Sequence, residues 1–255
     1  MSIKEKITTV ASIIHSSNYI VVFSGAGMST ESGIPDFRSP GGLWSKYDPG
    51  EYAEYSAFLS HPEKFWTMHK ELSQMVIEAE PNLGHKSLVI LEKEYRKLKA
   101  IITQNIDFLH SRAGNSNVLE LHGSGQTACC LSCGTEFYYT DIQKQLDEGK
   151  EVPLCPKCEG LIKPNVVLFG ESLPSNVFQQ AIDELSSADL IIIIGSSLTV
   201  YPAAALPSMA LNTGARLIII NDEATIMDHQ ADVVIIGKSG IILPQILEEL
   251  KNIDS

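Results

Sequence analysis

Six short runs along the chain are dominated by apolar residues: Tyr19–Ser24, Ala100–Thr103, Val118–Leu121, Leu190–Gly195, Arg216–Asn221 and Asp232–Ile236. Each has the length of a strand and lacks the polar alternation of a half-exposed one. Between many of them lie segments with helical spacing, Leu83–Leu98, Ser175–Ser187, Ala203–Asn212 and Ile241–Lys251. Ile3, Ile7, Val10, Ile13 and Ile14 repeat the same spacing and predict an amphipathic helix at the N-terminus. Apolar strands alternating with helices imply an α/β fold, a parallel sheet covered on both faces. Ligands of such sheets sit beyond the C-terminal ends of the strands.

Two stretches break the alternation. Residues 39–82 are rich in aromatics, carry Pro49 and Pro62, and predict a helix from about Pro62 to Ala79. Residues 123–160 hold all five cysteines and few long apolar runs. Both read as insertions that form a smaller second domain, a helical module and a zinc module. The larger domain then comprises residues 1–38, 83–122 and 161–255. In the second insertion Cys130 and Cys133 form one C-x₂-C pair and Cys155 and Cys158 another, with 21 residues between them. That gap is just beyond the ~15–20 of zinc ribbons. Four thiolates close the shell of a tetrahedral Zn²⁺, so one structural ion is expected, with no open position for water. A small module with few core residues needs such a clamp, typically worth about 10–16 kcal/mol. Two redox C-x-x-C motifs are the rival reading. Cys129 is left without a partner and reads as a small packed residue.

Composition narrows the picture modestly. At 255 residues, 44% hydrophobic and 20% charged, the chain resembles a soluble globular protein with a sizeable core. A net charge of −12 argues against a nucleic-acid partner. No apolar run reaches membrane-spanning length, and the N-terminal segment lacks the apolar core of a signal peptide. A cytoplasmic protein without a membrane partner is expected, in which cysteines serve metals or chemistry before disulfides.

The polar motifs fall at strand ends. The first, "GAGMSTESGIPDFR", runs from Gly25 to Arg38. Gly25 and Gly27 would let the backbone approach a pyrophosphate, and Arg38 offers a fork for phosphate. A glycine-rich turn with no ligand has the same look. Gly33 comes too late for the G-x-G-x-x-G of a hydride-transfer enzyme, which disfavours a dehydrogenase. "TQNIDFLH" then sets Gln104, Asn105 and Asp107 after a strand, where amides could pair with a carboxamide; Asn and Asp are also ordinary turn formers. "LELHGSG" sets His122 at another strand end, mostly neutral at pH 7 and able to act as a base. His110 is the rival base, though its place in "DFLH" suggests a packed helix position. Gly195, Ser196 and Ser197 follow the fourth run, and Asn221, Asp222 and Glu223 the fifth. They suit ribose hydroxyls and an adenine edge, or simply cap helices.

Taken together, "GAGMSTESGIPDFR", "TQNIDFLHSRAG", "LHGS", the two C-x₂-C pairs, "PNVVLFGE", "GSSLTVYPAA" and "INDEAT" resemble the sirtuins, NAD-dependent protein deacylases. The likeness runs from about Tyr19 to Ile236 and looks closest to undifferentiated bacterial members. It implies a Rossmann-like domain and a smaller zinc-and-helix domain, with NAD and an acetylated-lysine peptide entering the cleft between them. The nicotinamide pocket would comprise Ala26, Ile34, Phe37, Asn105, Ile106 and Asp107. Gly25, Gly27, Thr30, Arg38, Gln104, Gly195, Ser196, Ser197, Asn221, Glu223 and Ser239 would hold the rest of NAD. Val167 and Phe169 would line the acyl-lysine tunnel. Gly170, Glu171, Val200 and Tyr201 would sit in segments flanking the peptide. His122 would be the catalytic base and Asn105 its partner in catalysis. The expected products are deacetylated lysine, nicotinamide and O-acetyl-ADP-ribose, with zinc taking no part. Desuccinylating sirtuins carry Tyr and Arg where this chain has His69 and Leu72, so neutral acyl groups are expected here. ADP-ribosyl transfer on the same scaffold and a nonenzymatic zinc-ribbon module are the other readings. The second leaves Asn105, Asp107 and His122 unexplained.

Overall fold

The computed structural model describes residues 1–254. Nine strands form two sheets: β1 (Ile20–Ser24), β2 (Leu98–Thr103), β3 (Val118–Glu120), β4 (Gly123–Cys130), β5 (Glu136–Tyr138), β6 (Ile162–Val166), β7 (Leu190–Ile194), β8 (Arg216–Asn221) and β9 (Val233–Ile236). The helices are α1 (Ile3–Ser16), α2 (Pro49–Tyr52), α3 (Tyr55–Ser60), α4 (Pro62–Glu78), α5 (Leu83–Lys93), α6 (Leu109–Ala113), α7 (Tyr139–Asp147), α8 (Ser175–Ser187), α9 (Leu206–Asn212) and α10 (Ser239–Ile253).

The large sheet has strand order β3-β2-β1-β7-β8-β9 and every pairing is parallel. All five residues of β1 and of β7 are buried, as two-sided burial at the centre of the sheet requires. One face carries α1, α5 and α10 around Ile14, Val22, Ile192 and Leu243. The other carries α8 and α9 around Phe23, Ile193, Leu185 and Ala210. This is the Rossmann-like layer that the apolar runs predict. One predicted helix is shortened. The apolar spacing runs on to Leu98, but α5 stops at Lys93 and Arg96 turns with φ +56°. Leu98 keeps the rhythm because it is already a core residue of β2. Among the described residues no helix is long and apolar enough to cross a membrane.

The small sheet is antiparallel, order β5-β4-β6. Residues 162–166, grouped by the sequence pattern with the larger layer, pair here with β4. The two insertions share one core: Phe65, Trp66 and Met68 of α4 pack with Ile142 and Leu146 of α7 and with Ala128 and Ile162 of the sheet. Helix α7 has only these two buried residues, too few to stand out in the sequence.

Strand order reverses between β1 and β7, and there the loops after the two strands interlock. The Gly25 N–H donates to Ile194 O (3.0 Å), Gly27 N–H to Gly195 O (2.9 Å), and Gly195 N–H to Ile220 O (3.0 Å). A Cβ at Gly195 would lie 2.3 Å from the Met28 nitrogen, and one at Gly25 2.7 Å from Gly195 O. These glycines are therefore required by contact between two loops. Gly195 also has φ +60°, a left-handed conformation that other residues adopt at a cost. Gly195→Ala should lower stability by roughly 2–4 kcal/mol, left-handed strain plus overpacking. Gly214→Ala is the control, with φ +94° but open space around its Cβ position; it should lose only the strain, about 1–2 kcal/mol. Urea unfolding of the two variants separates the effects, and equal losses would contradict the interlock.

Candidate active site

A cleft of about 530 Å³ opens at the C-terminal ends of the strands, across the point where strand order reverses. Open α/β sheets bind ligands at that point, because loops leaving neighbouring strands diverge there. The cleft brings together Gly25, Ala26, Gly27, Thr30, Phe37 and Arg38 from the first loop with Gln104, Asn105 and His122. Gly195, Ser196, Ser197, Val200, Asn221, Glu223 and Ser239 line it from the other half of the sheet. Ile34, Ile106, Asp107, Val167, Phe169, Gly170, Glu171 and Tyr201 lie outside that lining.

The first loop is held from three sides. Two short 3₁₀ turns, Ala26–Met28 and Thr30–Ser32, end at Gly33 with φ +89°. Asn82 Nδ2 donates to Met28 O (2.9 Å) and Ser32 Oγ (3.1 Å), tying the loop to the start of α5. Glu31 Oε2 accepts from Gly240 N (2.6 Å), tying it to the start of α10. Asp36 serves the loop itself: Oδ1 accepts from the backbone of Arg38 (3.2 Å) and Ser39 (2.9 Å), and Oδ2 from Ser39 Oγ (2.5 Å). Among the described residues no carboxylate pairs with the Arg38 guanidinium, so a cation is left to face the cleft.

Asn105 and Asp107 divide the work beyond β2. Asn105 Nδ2 donates to Gly25 O (3.1 Å) and Ser29 Oγ (3.2 Å), and its N–H donates to Thr103 Oγ1 (3.0 Å). Asp107 is buried; Oδ2 accepts from Ser29 Oγ (2.6 Å) and Oδ1 from Leu109 N (2.9 Å). Burial pushes its carboxyl above the usual range against these bonds. Gln104 Nε2 donates to Ser196 Oγ (2.8 Å), a side-chain bridge across the reversal point.

His122 sits between β3 and β4 with Nδ1 2.9 Å from Gln104 O. A carbonyl oxygen can only accept, so Nδ1 carries the proton and Nε2 is left as a base. Burial lowers its pKa, and the bond to Gln104 only partly opposes this, so the ring is neutral near pH 7. The His122 carbonyl accepts from Val167 N (2.8 Å), which couples the base to the "VVLFGE" segment. His110, the rival base, is buried on α6 with Nε2 2.9 Å from Ser24 Oγ, away from the cleft.

The "VVLFGE" segment is braced by the small unit. Phe169 N donates to Ala53 O (2.9 Å) and Tyr55 N to Phe169 O (2.9 Å). Its ring lies 6.2 Å from Trp44, which in turn lies 5.2 Å from Phe37. Glu171 Oε2 accepts from Leu168 N (2.8 Å) and pairs with the buried Lys163 ammonium at 2.9 Å. Its carboxylate is thus engaged within its own loop. Phe169 and Tyr201 are 39% and 67% exposed, so both flanks remain open to a partner.

The sulfurs of Cys130, Cys133, Cys155 and Cys158 all lie within 4.8 Å of one another. Cys130–Cys158 is 3.5 Å and Cys133–Cys155 is 3.7 Å. A metal–sulfur bond of about 2.3 Å puts the edges of a tetrahedron near ~3.8 Å, so the donor set fits one tetrahedral ion. The distances exclude disulfides. Cys129 is half-buried and outside the cluster; adjacent strand residues point to opposite faces.

Several groups here escape a reading of the sequence. Ser39, Pro40 and Lys238 also line the cleft, while Asp222 stands there beside Asn221 and Glu223 as expected. Lys238 follows β9, and the strand-end rule could have found it. Glu120 on β3 is half-buried, and burial pushes its carboxyl up to about 7, with the Asp107 charge adding and Ser124 opposing. Nothing in "LELH" alone announces that shift.

The profile of the Sir2 family matches residues 25–202. The chain is 46% identical to NAD-dependent protein deacylase 2 of Archaeoglobus fulgidus, over 99% of each chain. It is 43% identical to the NAD-dependent protein deacetylase of Thermotoga maritima, over 87% of this chain and 92% of that one. These relatives are archaeal as well as bacterial, so the likeness is to the family and not to its bacterial members in particular. A solved structure described as a Sir2–p53 peptide–NAD+ complex superposes with a TM-score of 0.89 at 40% identity, covering 98% of both chains. Another, of a Sir2 enzyme with deacetylated p53 peptide and 3′-O-acetyl ADP-ribose, gives 0.91 at 40% identity and the same coverage. With the family profile matching most of the chain and a relative 46% identical along 99% of it, the chain belongs to the Sir2 family of NAD-dependent deacylases.

Proposed function

We propose that this chain is an NAD-dependent protein-lysine deacetylase, giving deacetylated lysine, nicotinamide and O-acetyl-ADP-ribose. The observation that carries this reading is His122 in the cleft, neutral, with Nδ1–H on Gln104 O and Nε2 free to take a proton. Bound NAD would supply the ribose that receives the acyl group and a nicotinamide leaving group. Gly25, Gly27, Thr30 and Arg38 would hold its phosphates, the guanidinium as a bidentate donor, with Ala26 toward the nicotinamide. Gln104, Ser196, Ser197, Asn221, Glu223 and Ser239 suit the ribose and adenine end. Asn105, with Ile34, Phe37, Ile106 and Asp107 behind it, suits the nicotinamide end. The apolar members of that group exclude water from the reacting sugar. His122 would take a proton from the ribose hydroxyls as general base.

An acetylated-lysine peptide would lie extended between residues 170–172 and 200–202, with Val167 and Phe169 against the acyl-lysine stem. Main-chain pairing on both edges gives affinity with little dependence on sequence. The acyl end meets no cation at the positions that distinguish desuccinylating relatives. His69 is stacked on Phe65 at 5.3 Å, and burial holds it at about 4; Leu72 packs on the small core. Neutral acyl groups are therefore favoured. The two inserted modules form the smaller domain, and zinc is the ion that suits its four thiolates. Thiols kept for a metal fit a reducing, cytoplasmic setting.

Incubation with acetyl-lysine peptide and NAD, followed by mass spectrometry, should yield all three products, and none without NAD. His122→Ala should lower the rate by about 10²–10⁴-fold with an unchanged circular dichroism spectrum. Full activity in that variant would remove the assignment. The base is active when deprotonated and its pKa is lowered, so activity should persist as pH falls to the ordinary imidazole value near 6.5 and be lost below it. Atomic spectroscopy should find one zinc per chain. Its removal by a strong chelator should unfold the small unit and abolish activity, and re-addition of zinc should restore both. Activity that survives complete metal loss would contradict a structural ion.

A further inference from the structure

Behind the cleft lies a buried polar cluster that the proposed chemistry leaves unused. His85 on α5 and His110 on α6 are 0% and 2% exposed, with ring centroids 4.9 Å apart. Among the described residues neither ring nitrogen of His85 has a hydrogen-bond partner, nor has His110 Nδ1. Buried polar atoms are almost always satisfied by protein or by ordered water. Three such atoms on two adjoining rings imply ordered water among them. Burial holds His85 at about 4 and His110 well below its ordinary value, so both rings are neutral.

One nitrogen of the pair is engaged, and it leads to the cleft. His110 Nε2 lies 2.9 Å from Ser24 Oγ, and Ser24 Oγ donates to Thr103 Oγ1 at 2.9 Å. Thr103 Oγ1 also accepts the Asn105 N–H at 3.0 Å. Ser24 has one proton and gives it to Thr103, so His110 must supply an Nε2–H. Its Nδ1 is then a bare acceptor facing the His85 side. We infer that His85 and His110, joined by ordered water, are positioning residues that fix the direction of the Ser24–Thr103 hydrogen-bond chain and so hold Asn105 in the cleft. His85 acts at the far end by keeping a donor on His110 Nδ1. Neither ring touches the reacting atoms.

The kinetic part of the test rests on the deacetylase reading; the spectroscopic part does not. Three variants are compared: His85→Leu, His110→Leu and His110→Gln, the last placing an amide N–H where Nε2 stands. If the rings only filled space, leucine would be neutral or stabilising, because it removes unpartnered buried polar atoms. The relay instead requires both leucine variants to keep or raise the melting temperature while losing about ten-fold in kcat, the effect of ~1.4 kcal/mol. The KM for peptide should stay unchanged, and His110→Gln should recover most of the rate. Ring ¹⁵N NMR of the wild-type protein should show neutral His110 protonated at Nε2. The Asn105 backbone amide should shift and exchange faster in His85→Leu. Wild-type kinetics in both leucine variants would overturn the inference, as would a His110 proton on Nδ1. Loss of deacetylation in wild type with the NMR coupling intact would refute the activity and leave the relay standing.

Discussion

Everything at the site depends on the main-chain contact between the loops that leave β1 and β7. Gly25, Gly27 and Gly195 let two backbones meet at hydrogen-bond distance where strand order reverses. Without that approach the two halves of the sheet would end in separate loops. Arg38, Asn105 and Ser196 would then have no common space to face. The side on which a Cβ would collide is occupied by protein, which leaves the cleft side of the same loops free for a ligand. Glu31 and Asn82 extend the bracing to α10 and α5, so the loop carries its polar groups on a fixed frame.

The base is set by the same logic of shared backbone. His122 is held through a ring nitrogen by Gln104 O and through its own carbonyl by Val167 N. One residue therefore links the large sheet to the segment that leads into the small unit. The Gln104 carbonyl selects the tautomer, and burial keeps the ring uncharged. The small unit contributes rigidity of a different kind. Its sheet has three strands, and its core gains closure from the four clustered sulfurs and from aromatic contacts that run from Phe37 through Trp44 to Phe169.

Much of this was legible along the chain. The parallel sheet followed from unbroken apolar runs, since a strand buried on both faces needs no polar alternation. The two inserted modules stood out where that rhythm failed. Paired C-x₂-C spacing marked the four-cysteine cluster because tetrahedral ligation constrains sequence spacing directly. Less legible was the start of the small unit's return strand. Residues 162–166, Ile-Lys-Pro-Asn-Val, show no apolar run, and only pairing with β4 assigns them. Nor does the chain alone choose between the Arg38 side chain and backbone donors for Asp36; the fold gives it the Arg38 and Ser39 N–H groups and the Ser39 hydroxyl.

By itself the sequence determined the fold class, the thiolate set and the polar residues that would stand at strand ends, because periodicity and spacing are local properties of a chain. Tertiary structure alone decided what each group faces. It turned Gly25 and Gly27 toward a second loop, left the Arg38 guanidinium without a carboxylate partner among the described residues, and raised Glu120 to about 7 through burial. It also buried His110 behind the cleft while placing His122 within it. The sequence reads His110 as a packed helix position and His122, 12 positions on, as a strand-end base. They differ in solvent and partners, and those are fixed only when distant segments pack.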